Sequence, residues 1–184
     1  MTLEKYREKR RSGRSPEPRG RRRAASRKQP HFVIQHHAAS TDHYDFRLEI
    51  DGVLVSWAVP KGPSTNPKDK RMVRRTEDHP MEYETFEGVI PEGEYGAGRV
   101  IVWDRGTYTC DGDMAEDLSR GHLSFQLNGE KLHGGFALQR TRPGAKPQWL
   151  LIKRKDDEAR PGSDIVAERP ESVLSGRTLP DLLD

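Results

Sequence analysis

The sequence predicts a mainly β protein, a compact antiparallel β-barrel with short peripheral helices, and three observations favour it. From residue 31 onward, short runs alternate apolar and polar residues with the period of two that strands show. Turn dipeptides separate these runs, among them Asp51-Gly52 and Asn128-Gly129. The chain has 184 residues and 32% of them are hydrophobic, which suits one domain with a modest core. About seven or eight strands in such a domain are typical of a small barrel or sandwich.

The individual elements follow from the same patterns. Asp51-Gly52 supplies the positive φ angles of a two-residue type I′ turn, so residues 43–50 and 53–59 form a hairpin. Further strands are predicted at residues 99–103, 107–110, 123–127, 135–140 and 148–154. Short helical pieces are predicted near 114–119 and 171–174, and residues 3–10 are compatible with a short helix. Three loops are rich in Gly, Pro and Lys and are candidates to carry function: 60–70, 88–98 and 141–147.

Charge divides the chain into two regions. Residues 1–30 contain 12 Lys and Arg against 3 Glu, a net charge of +9, whereas residues 31–184 contain 20 against 26 acidic residues, a net charge of −6. The first region is poor in apolar residues and repels itself, so we predict a flexible basic N-terminal segment at 1–30 and a barrel domain at 31–184. Clustered Arg attracts phosphate whatever the base sequence, which favours nucleic-acid contact. The alternative is a tail that only improves solubility.

Hydropathy and cysteine content argue against several classes of protein. No stretch approaches the ~18 to 20 apolar residues that a membrane-spanning helix needs, and no apolar signal segment is recognised. Cys110 is the single cysteine, so an internal disulfide and a Cys-rich zinc site are excluded. We therefore expect a cytoplasmic protein in which any metal is held by His and carboxylate side chains.

The predicted hairpin has one titratable face and one apolar face. Side chains alternate along a strand, so His43, Asp45 and Arg47 share one face and the intervening apolar residues share the other. Small partners opposite the charged residues leave space above them, which predicts a cavity on that face, while the apolar face is core. The turn fixes the register, and the predicted cross-strand pairs are Asp45 with Ala58, Arg47 with Ser56, Tyr44 with Val59, Phe46 with Trp57 and Leu48 with Val55.

The titratable face has the composition of a metal and anion site. His43 and Asp45 could bind a single divalent cation, and His37, six residues upstream, could supply a third ligand through the intervening loop. Arg47 cannot ligate a metal, but its guanidinium can hold a phosphate or sulfate by two hydrogen bonds. The alternative is a solvated strand face on which His43 and Asp45 merely pair with Arg47.

Two residues outside the hairpin strengthen the metal and anion hypothesis. Lys61 follows the second strand within Val59-Pro60-Lys61-Gly62-Pro63 and returns a cation to the end of the sheet that carries His43. His79 precedes Pro80 in an acidic setting and is a candidate general acid or metal ligand. Together these groups suit a substrate that carries concentrated negative charge.

The chain contains five motif segments in order: Gln35-His36-His37-Ala38, His43-Tyr44-Asp45-Phe46-Arg47-Leu48-Glu49, Ser56-Trp57-Ala58-Val59-Pro60-Lys61-Gly62, Glu77-Asp78-His79-Pro80 and Gly93-Glu94-Tyr95-Gly96-Ala97-Gly98. These segments resemble the 3′-phosphoesterase module of bacterial DNA ligase D and its free-standing relatives, and the resemblance covers nearly the whole chain, back to residue 3. It implies a compact β-barrel whose manganese-dependent site removes 3′-phosphate and terminal 3′-ribonucleotide groups from DNA ends, leaving a 3′-hydroxyl for end joining. It also implies a prokaryotic, nucleoid-associated protein that acts on DNA 3′ ends and leaves open a separate ligase, polymerase or Ku-like partner.

The resemblance also implies a role for ten residues. The implied metal ligands are His37, His43 and Asp45, and the implied catalytic residues that contact the scissile phosphate are Arg47 and His79. Imidazole ligands favour Mn²⁺, Zn²⁺ or Co²⁺ over Mg²⁺, and among these the resemblance implies Mn²⁺. The positions that match the family's substrate pocket are Gln35, Lys61, Arg71, Glu77 and Tyr83.

Three positions depart from the family pattern. Asp42 stands where an apolar residue is usual, and Arg74-Arg75-Thr76 replaces a more apolar strand. Arg11 stands where an acidic residue is usual, in a segment that the resemblance connects with ribonucleotide removal.

Two functions from other classes are compatible with parts of the sequence. His43, Asp45 and His79 could form the 2-His-1-carboxylate site of a non-haem iron oxygenase, but that interpretation leaves Lys61 and Arg71 without a role. A non-catalytic DNA-end adaptor would keep the barrel and the basic segment. The complete set of predicted metal and phosphate residues argues against an adaptor.

Overall fold

A computed structural model describes residues 2–11, 13–19, 29–142 and 144–182, and strands are the main secondary structure of these residues. The strands are β1 His31–Ala38, β2 Asp42–Ile50, β3 Val53–Val59, β4 Lys70–Arg75, β5 His79–Pro80, β6 Gly88–Ile90, β7 Gly98–Thr109, β8 His122–Gly129, β9 His133–Arg142 and β10 Gln148–Lys153. The α-helices are α1 Glu4–Glu8, α2 Met114–Arg120 and α3 Ile165–Glu168, and the 3₁₀ helices are Met81–Thr85 and Leu179–Asp181. None of the described helices has the length and apolar character needed to cross a membrane.

Eight of the strands close into an antiparallel barrel. Neighbouring strands follow the order β1-β2-β3-β4-β10-β9-β8-β7, and β7 pairs back with β1 to complete the circle. The two short strands extend this sheet, since β6 pairs with β7 and β5 pairs with β3. The predicted fold class, an antiparallel β-barrel with a few short helices, is therefore confirmed.

The β2–β3 hairpin has the predicted register. Asp51 and Gly52 adopt φ angles of 51° and 79°, as a type I′ turn requires. All five predicted cross-strand pairs are present, including Asp45 opposite Ala58 and Arg47 opposite Ser56. The apolar side chains of β2 point into the barrel core, where Phe46 and Leu48 are fully buried.

A second apolar cluster lies on the outside of the barrel. Val33 and Leu54 face outward from β1 and β3, and they pack with Tyr83 of the first 3₁₀ helix and with Tyr6 of α1. Tyr6 is only 1% exposed, so the N-terminal helix is anchored to the barrel by a buried aromatic ring. Because both faces of β1 are covered, its sequence shows no clean alternation.

Several sequence predictions about single elements were wrong. The strands predicted at 99–103 and 107–110 are one continuous strand, β7, and residues 171–174 form a turn instead of a helix. The predicted loop 88–98 contains β6. β4 was missed because its charged sequence buries only Val73. α2 begins at the predicted residue 114 and ends one residue beyond the predicted residue 119, and α1 falls inside the predicted range 3–10.

The N-terminal segment packs on the barrel over the residues that the structure describes. Besides Tyr6, Leu3 is buried, and Lys9 and Arg10 form ion pairs with Glu77. The predicted flexible segment at 1–30 falls in part on residues 1, 12 and 20–28, which lie outside the described residues. A flexible segment at 1–30 and a barrel domain at 31–184 thus remain a prediction.

Replacing Gly98 with Ala is expected to lower the free energy of unfolding by about 1–3 kcal/mol. Gly98 has a φ angle of 140°, and a Cβ atom there would lie 2.0 Å from the carbonyl oxygen of Ala38, at the end of β1. Urea denaturation would measure the loss. Gly162→Ala is the control, because no neighbouring atom lies within 4 Å of the added Cβ. Equal stability of the Gly98→Ala variant and the wild type would contradict this account of the β1–β7 contact.

Candidate active site

The outer face of β1, β2 and β3 brings the three predicted metal ligands together. His37 on β1 lies directly opposite His43 on β2, and Asp45 is two residues further along the same face. One ligand atom from each of these three side chains lies within 4.8 Å of the others. Asp45 faces the small side chain of Ala58 on β3, which leaves the space that the sequence predicts above it.

Backbone carbonyl groups orient both histidines toward Asp45. His37 donates from Nε2 to the carbonyl oxygen of Gly96 at 2.7 Å, and His43 donates from Nδ1 to that of Thr41 at 3.0 Å. Because a carbonyl can only accept, the other nitrogen of each ring carries a lone pair when the ring is neutral and donates to Asp45 when the ring is protonated. These are Nδ1 of His37, 3.7 Å from the Asp45 carboxylate, and Nε2 of His43, 3.2 Å from it. Two imidazoles held by carbonyl groups beside one carboxylate form a donor set that fits a divalent transition metal.

The charge at Asp45 supports the same conclusion. Burial acts to raise its pKa, but the Arg47 guanidinium and the hydrogen bonds from His37 and His43 outweigh burial and hold that pKa well below its usual range. Burial acts to lower the pKa of His43, but the hydrogen bond to Asp45 and the charge of that carboxylate raise it overall. Asp45 is therefore an anion at neutral pH, ready to hold a cation. His43 must release any bound proton before it can coordinate a metal.

Arg47 is buried and held in a defined orientation. Its Nε donates to Gln35 Oε1 at 2.7 Å, and its Nη1 donates to Ser56 Oγ at 2.9 Å. The guanidinium lies over the ring of Tyr83, 5.0 Å from the ring centre, and its Nη2 is 3.5 Å from Asp45. The fork is thus positioned beside the candidate metal cluster of His37, His43 and Asp45, and a guanidinium held in this way suits the recognition of a phosphate.

His79, on β5, lines the same cavity as His37, His43 and Asp45. Its Nδ1 donates to the carbonyl oxygen of Glu77 at 2.9 Å, and its ring packs edge-on against Tyr83. Burial, followed by the charges of Arg47 and Arg10, lowers the pKa of His79 well below its ordinary value. His79 is therefore a neutral imidazole at pH 7, with an unprotonated Nε2 that lies 3.4 Å from Arg10 Nη2.

The lowered pKa of His79 predicts that acid destabilises the wild type more than the His79→Asn variant. Between the folded pKa and the unfolded value of about 6.5, the unfolded chain binds the extra proton, so stability is lost as the pH falls below about 6.5. The slope is at most about 1.4 kcal/mol per pH unit for one group. Denaturant unfolding at pH 7.5, 6.5 and 5.5, with a chelator present, would measure it.

The exposed His122 supplies the control for this measurement, since His122→Asn should keep the pH dependence of the wild type. An identical pH dependence in the wild type and in His79→Asn would show that His79 is not held neutral in the folded chain.

These groups line one cavity of about 260 Å³. Among the predicted substrate-pocket residues, Glu77 and Tyr83 line it, while Gln35 lies fully buried behind Arg47. Lys61 and Arg71 lie elsewhere: Lys61 is exposed in the turn after β3, and Arg71 donates to the carbonyl oxygen of Gly62. The substrate contacts predicted for Lys61 and Arg71 therefore remain predictions.

Sequence reasoning missed Arg10, which reaches this cavity from the N-terminal segment, and Glu17, which contacts the cavity residue Tyr83. Arg10 lines it, forms ion pairs with Glu17 and Glu77, and stacks on Tyr6. Glu17 also accepts a hydrogen bond of 2.6 Å from the Tyr83 hydroxyl. No residue pattern within the segment reveals these contacts. Only the extension of the family resemblance back to residue 3 connected the segment with the barrel.

The iron-oxygenase interpretation has no geometric support. It requires His79 to join His43 and Asp45, but the one cluster of three metal-ligating side chains found among the described residues contains His37 in that place. His79 instead donates from one nitrogen to a carbonyl and faces Arg10 with the other.

Comparison with known families agrees with the resemblance seen in the sequence. The family model described as the DNA ligase D 3′-phosphoesterase domain matches residues 35–140, more than half of the chain. The chain belongs to this family. Every residue predicted to have a role in the site, from Gln35 to Tyr83, lies inside the matched range of this phosphoesterase domain. A phosphoesterase is a hydrolase, so the family also gives the general class of reaction.

Relatives of the phosphoesterase domain are found in larger proteins. This chain is 54% identical over 181 residues to the multifunctional non-homologous end joining protein LigD of Pseudomonas aeruginosa, and the match covers 96% of this chain and 22% of the relative. It is 45% identical over 156 residues to the multifunctional non-homologous end joining DNA repair protein LigD of Mycobacterium tuberculosis, covering 85% of this chain and 20% of the relative. For the LigD of Mycolicibacterium smegmatis the identity is 42% over 166 residues, with coverages of 86% and 21%. The chain thus spans about a fifth of the length of these relatives.

Proposed function

We propose that the chain is a metal-dependent hydrolase that heals DNA 3′ ends. It removes 3′-phosphate and terminal 3′-ribonucleotide groups and leaves a 3′-hydroxyl for end joining. The observation that supports this most strongly is the cluster of His37, His43 and Asp45 in one cavity with the fixed guanidinium of Arg47 and with His79. Membership in a 3′-phosphoesterase family points to the same chemistry.

The proposed metal site uses Nδ1 of His37, Nε2 of His43 and the carboxylate of Asp45. A cation bound there would polarise a phosphoryl oxygen and lower the pKa of a bound water. We propose Mn²⁺ as the metal, with Zn²⁺ and Co²⁺ as the other candidates that a set of two imidazoles and one carboxylate suits.

Arg47 is proposed to bind the phosphate and to stabilise the charge that develops on it. Its Nη2 lies near Asp45, and its Nη1 donates to Ser56. The ring of Tyr83 packs against the guanidinium. A donor that is positioned in advance in a buried site stabilises a transition state without reorganisation. Glu77 is proposed to act by holding His79 through its carbonyl oxygen and Arg10 through its carboxylate. Tyr83 is proposed to act by packing against His79 and Arg47.

His79 is proposed to give a proton to the leaving oxygen. It begins as a neutral imidazole, because burial and two neighbouring arginines disfavour its charged form. A phosphate that enters the cavity brings negative charge close to the ring, which raises the pKa of His79 and allows Nε2 to take up and then donate a proton.

The relatives carry the words non-homologous end joining in their names, and we propose that this chain acts on broken DNA ends in the same process. The proposed location is the bacterial cytoplasm at the nucleoid. A separate ligase, polymerase or Ku-like end-binding protein would complete the repair.

Product sizing on a primer-template tests the proposed function. A primer that ends in a 3′-phosphate, and a second that ends in one 3′-ribonucleotide, would be incubated with the protein and Mn²⁺, Zn²⁺, Co²⁺ or Mg²⁺. We expect a 3′-hydroxyl product with at least one transition metal and no product with a chelator. If no metal supports conversion while the protein still binds the primer, the chain is a DNA-end adaptor and not an enzyme.

A further inference from the structure

A shallow groove continues from the metal cluster across β3, β4 and β10. It has a volume of about 390 Å³, and it shares His43 with the cavity described above. Its other walls include Pro60, Met72, Arg74 and Pro147. Met72 is 61% exposed, the most exposed of the large hydrophobic side chains in the part of the chain that the structure describes.

Strand register places Arg74 in line with the metal cluster. Asp45 pairs with Ala58, and Ala58 pairs with Arg74, so these residues occupy neighbouring positions on three adjacent strands. Adjacent strands are separated by about 4.8 Å, so the backbone of Arg74 lies about 10 Å from that of Asp45. A nucleic-acid strand carries one phosphate per ~3.4 Å of helix axis, so a strand that ends at the metal cluster would bring an earlier phosphate within reach of Arg74.

Arg74 differs from its neighbours because its charge is uncompensated. Arg75 lies 3.6 Å from Asp78, and Arg71 lies 3.7 Å from Asp69. The Arg74 side chain is exposed and forms no ion pair or hydrogen bond with any residue in the described ranges.

We propose that this groove binds the nucleotides that precede the 3′-terminal one, with Arg74 on a backbone phosphate and Met72, Pro60 and Pro147 against a sugar or base. The proposal rests on the proposed function, because it takes the DNA 3′ end to be at the metal cluster. A free guanidinium beside apolar side chains matches a nucleic-acid strand, in which charged phosphates alternate with flat bases. The inference makes Arg74 a substrate-positioning residue for long substrates.

The test compares substrates of different length. A mononucleotide 3′-phosphate reaches only the metal cavity, whereas a single-stranded 3′-phosphorylated dodecamer also reaches the groove. For Arg74→Ala, we expect kcat/KM on the dodecamer to fall about tenfold and kcat/KM on the mononucleotide to stay at the wild-type value. The slope of log kcat/KM against log salt on the dodecamer should become shallower by about 0.7, the contribution of one single-strand phosphate.

Two further variants separate charge at the groove from charge elsewhere on the same strand. Lys70→Ala removes an exposed cation from the same face of β4, about 13 Å along the strand and outside the groove, and it should behave as the wild type. Arg74→Lys should keep most of the salt slope. Met72→Glu, at an exposed position where folding is not at risk, should weaken dodecamer cleavage alone.

The outcomes separate this inference from the function on which it rests. Equal losses on the mononucleotide and the dodecamer, or a dodecamer rate for Arg74→Ala equal to that of Lys70→Ala, would overturn the role of the groove. If the wild type cleaves neither substrate, the proposed function fails, and fluorescence anisotropy with a labelled dodecamer decides the groove separately. Weaker binding by Arg74→Ala than by Lys70→Ala would support it, and equal binding would reject it.

Discussion

Replacing Asp45 with Asn is expected to abolish metal binding and 3′-phosphate removal together. Asn keeps the shape of the side chain but loses the negative charge, and Asp45 is the one carboxylate in the cluster with His37 and His43. Loss of a group that merely orients a metal ligand costs about 10- to 100-fold in affinity or activity, so loss of a ligand should cost at least about 100-fold. Bound Mn²⁺ and phosphate release from a 3′-phosphorylated primer would be measured on the same samples.

Asp42 provides the matched control for the Asp45 variant. Its carboxylate lies on the same strand, is largely exposed and contacts His36 outside the metal cluster. Asp42→Asn should therefore bind Mn²⁺ and release phosphate as the wild type does. Retained activity in folded Asp45→Asn, with circular dichroism that matches the wild type, would overturn the assignment of Asp45 as a metal ligand.

Arg47→Lys is expected to lower kcat/KM on 3′-phosphorylated primers by about 10²- to 10³-fold, the usual cost of losing a positioned donor in an active site. Lys keeps the charge but cannot donate to Gln35 and Ser56 while also presenting two donors to a phosphate. Metal binding should persist, because Arg47 is not a ligand. Steady-state kinetics and Mn²⁺ binding would be compared for the same protein.

Arg105→Lys is the control for the Arg47 variant. Arg105 donates to the carboxylate of Glu84, and it does not line the cavity. Wild-type kinetics in Arg47→Lys would mean that Arg47 contributes only a diffuse positive charge. Loss of Mn²⁺ binding in Arg47→Lys would mean instead that Arg47 maintains the geometry of the metal cluster.

The β2–β3 hairpin and its charged face could be predicted from the sequence because local rules determine them. The Asp51-Gly52 turn accepts only a narrow range of conformations, and this fixes which residues of the two strands are paired. Alternation then places Asp45 and Arg47 on one face. The return of His37 was also predictable in outline, since a short loop joins it to His43 and the two pair directly.

The rest of the site depends on contacts between distant parts of the chain. β1 is covered on both faces, so it lacks the alternating pattern by which single strands are recognised. The ring of His79 is held by the Glu77 carbonyl and by Tyr83, and its lowered pKa arises from burial that sequence spacing does not reveal. Arg10 reaches the cavity because Tyr6 anchors α1 on the outside of the barrel.

Only some of the residues that matched the family's substrate pocket face the cavity. Glu77 and Tyr83 face the cavity, whereas Lys61 and Arg71 lie in and beside the turn that follows β3. A match of residue type at a motif position therefore does not by itself give the direction of a side chain. Turn geometry at Gly62 and the ion pair between Arg71 and Asp69 determine where these two cations point.

We propose that one metal ion in the His37, His43 and Asp45 cluster supports hydrolysis at a DNA 3′ end. Chelator-treated protein would be titrated with Mn²⁺. Electron paramagnetic resonance would follow the free Mn²⁺, and phosphate release would be measured on a 3′-phosphorylated primer-template in the same samples. We predict that phosphate release rises in proportion to the binding of one ion per chain and that Asp45→Asn shows neither. Full phosphate release before any Mn²⁺ is bound, or release by Asp45→Asn at the wild-type rate, would contradict the claim.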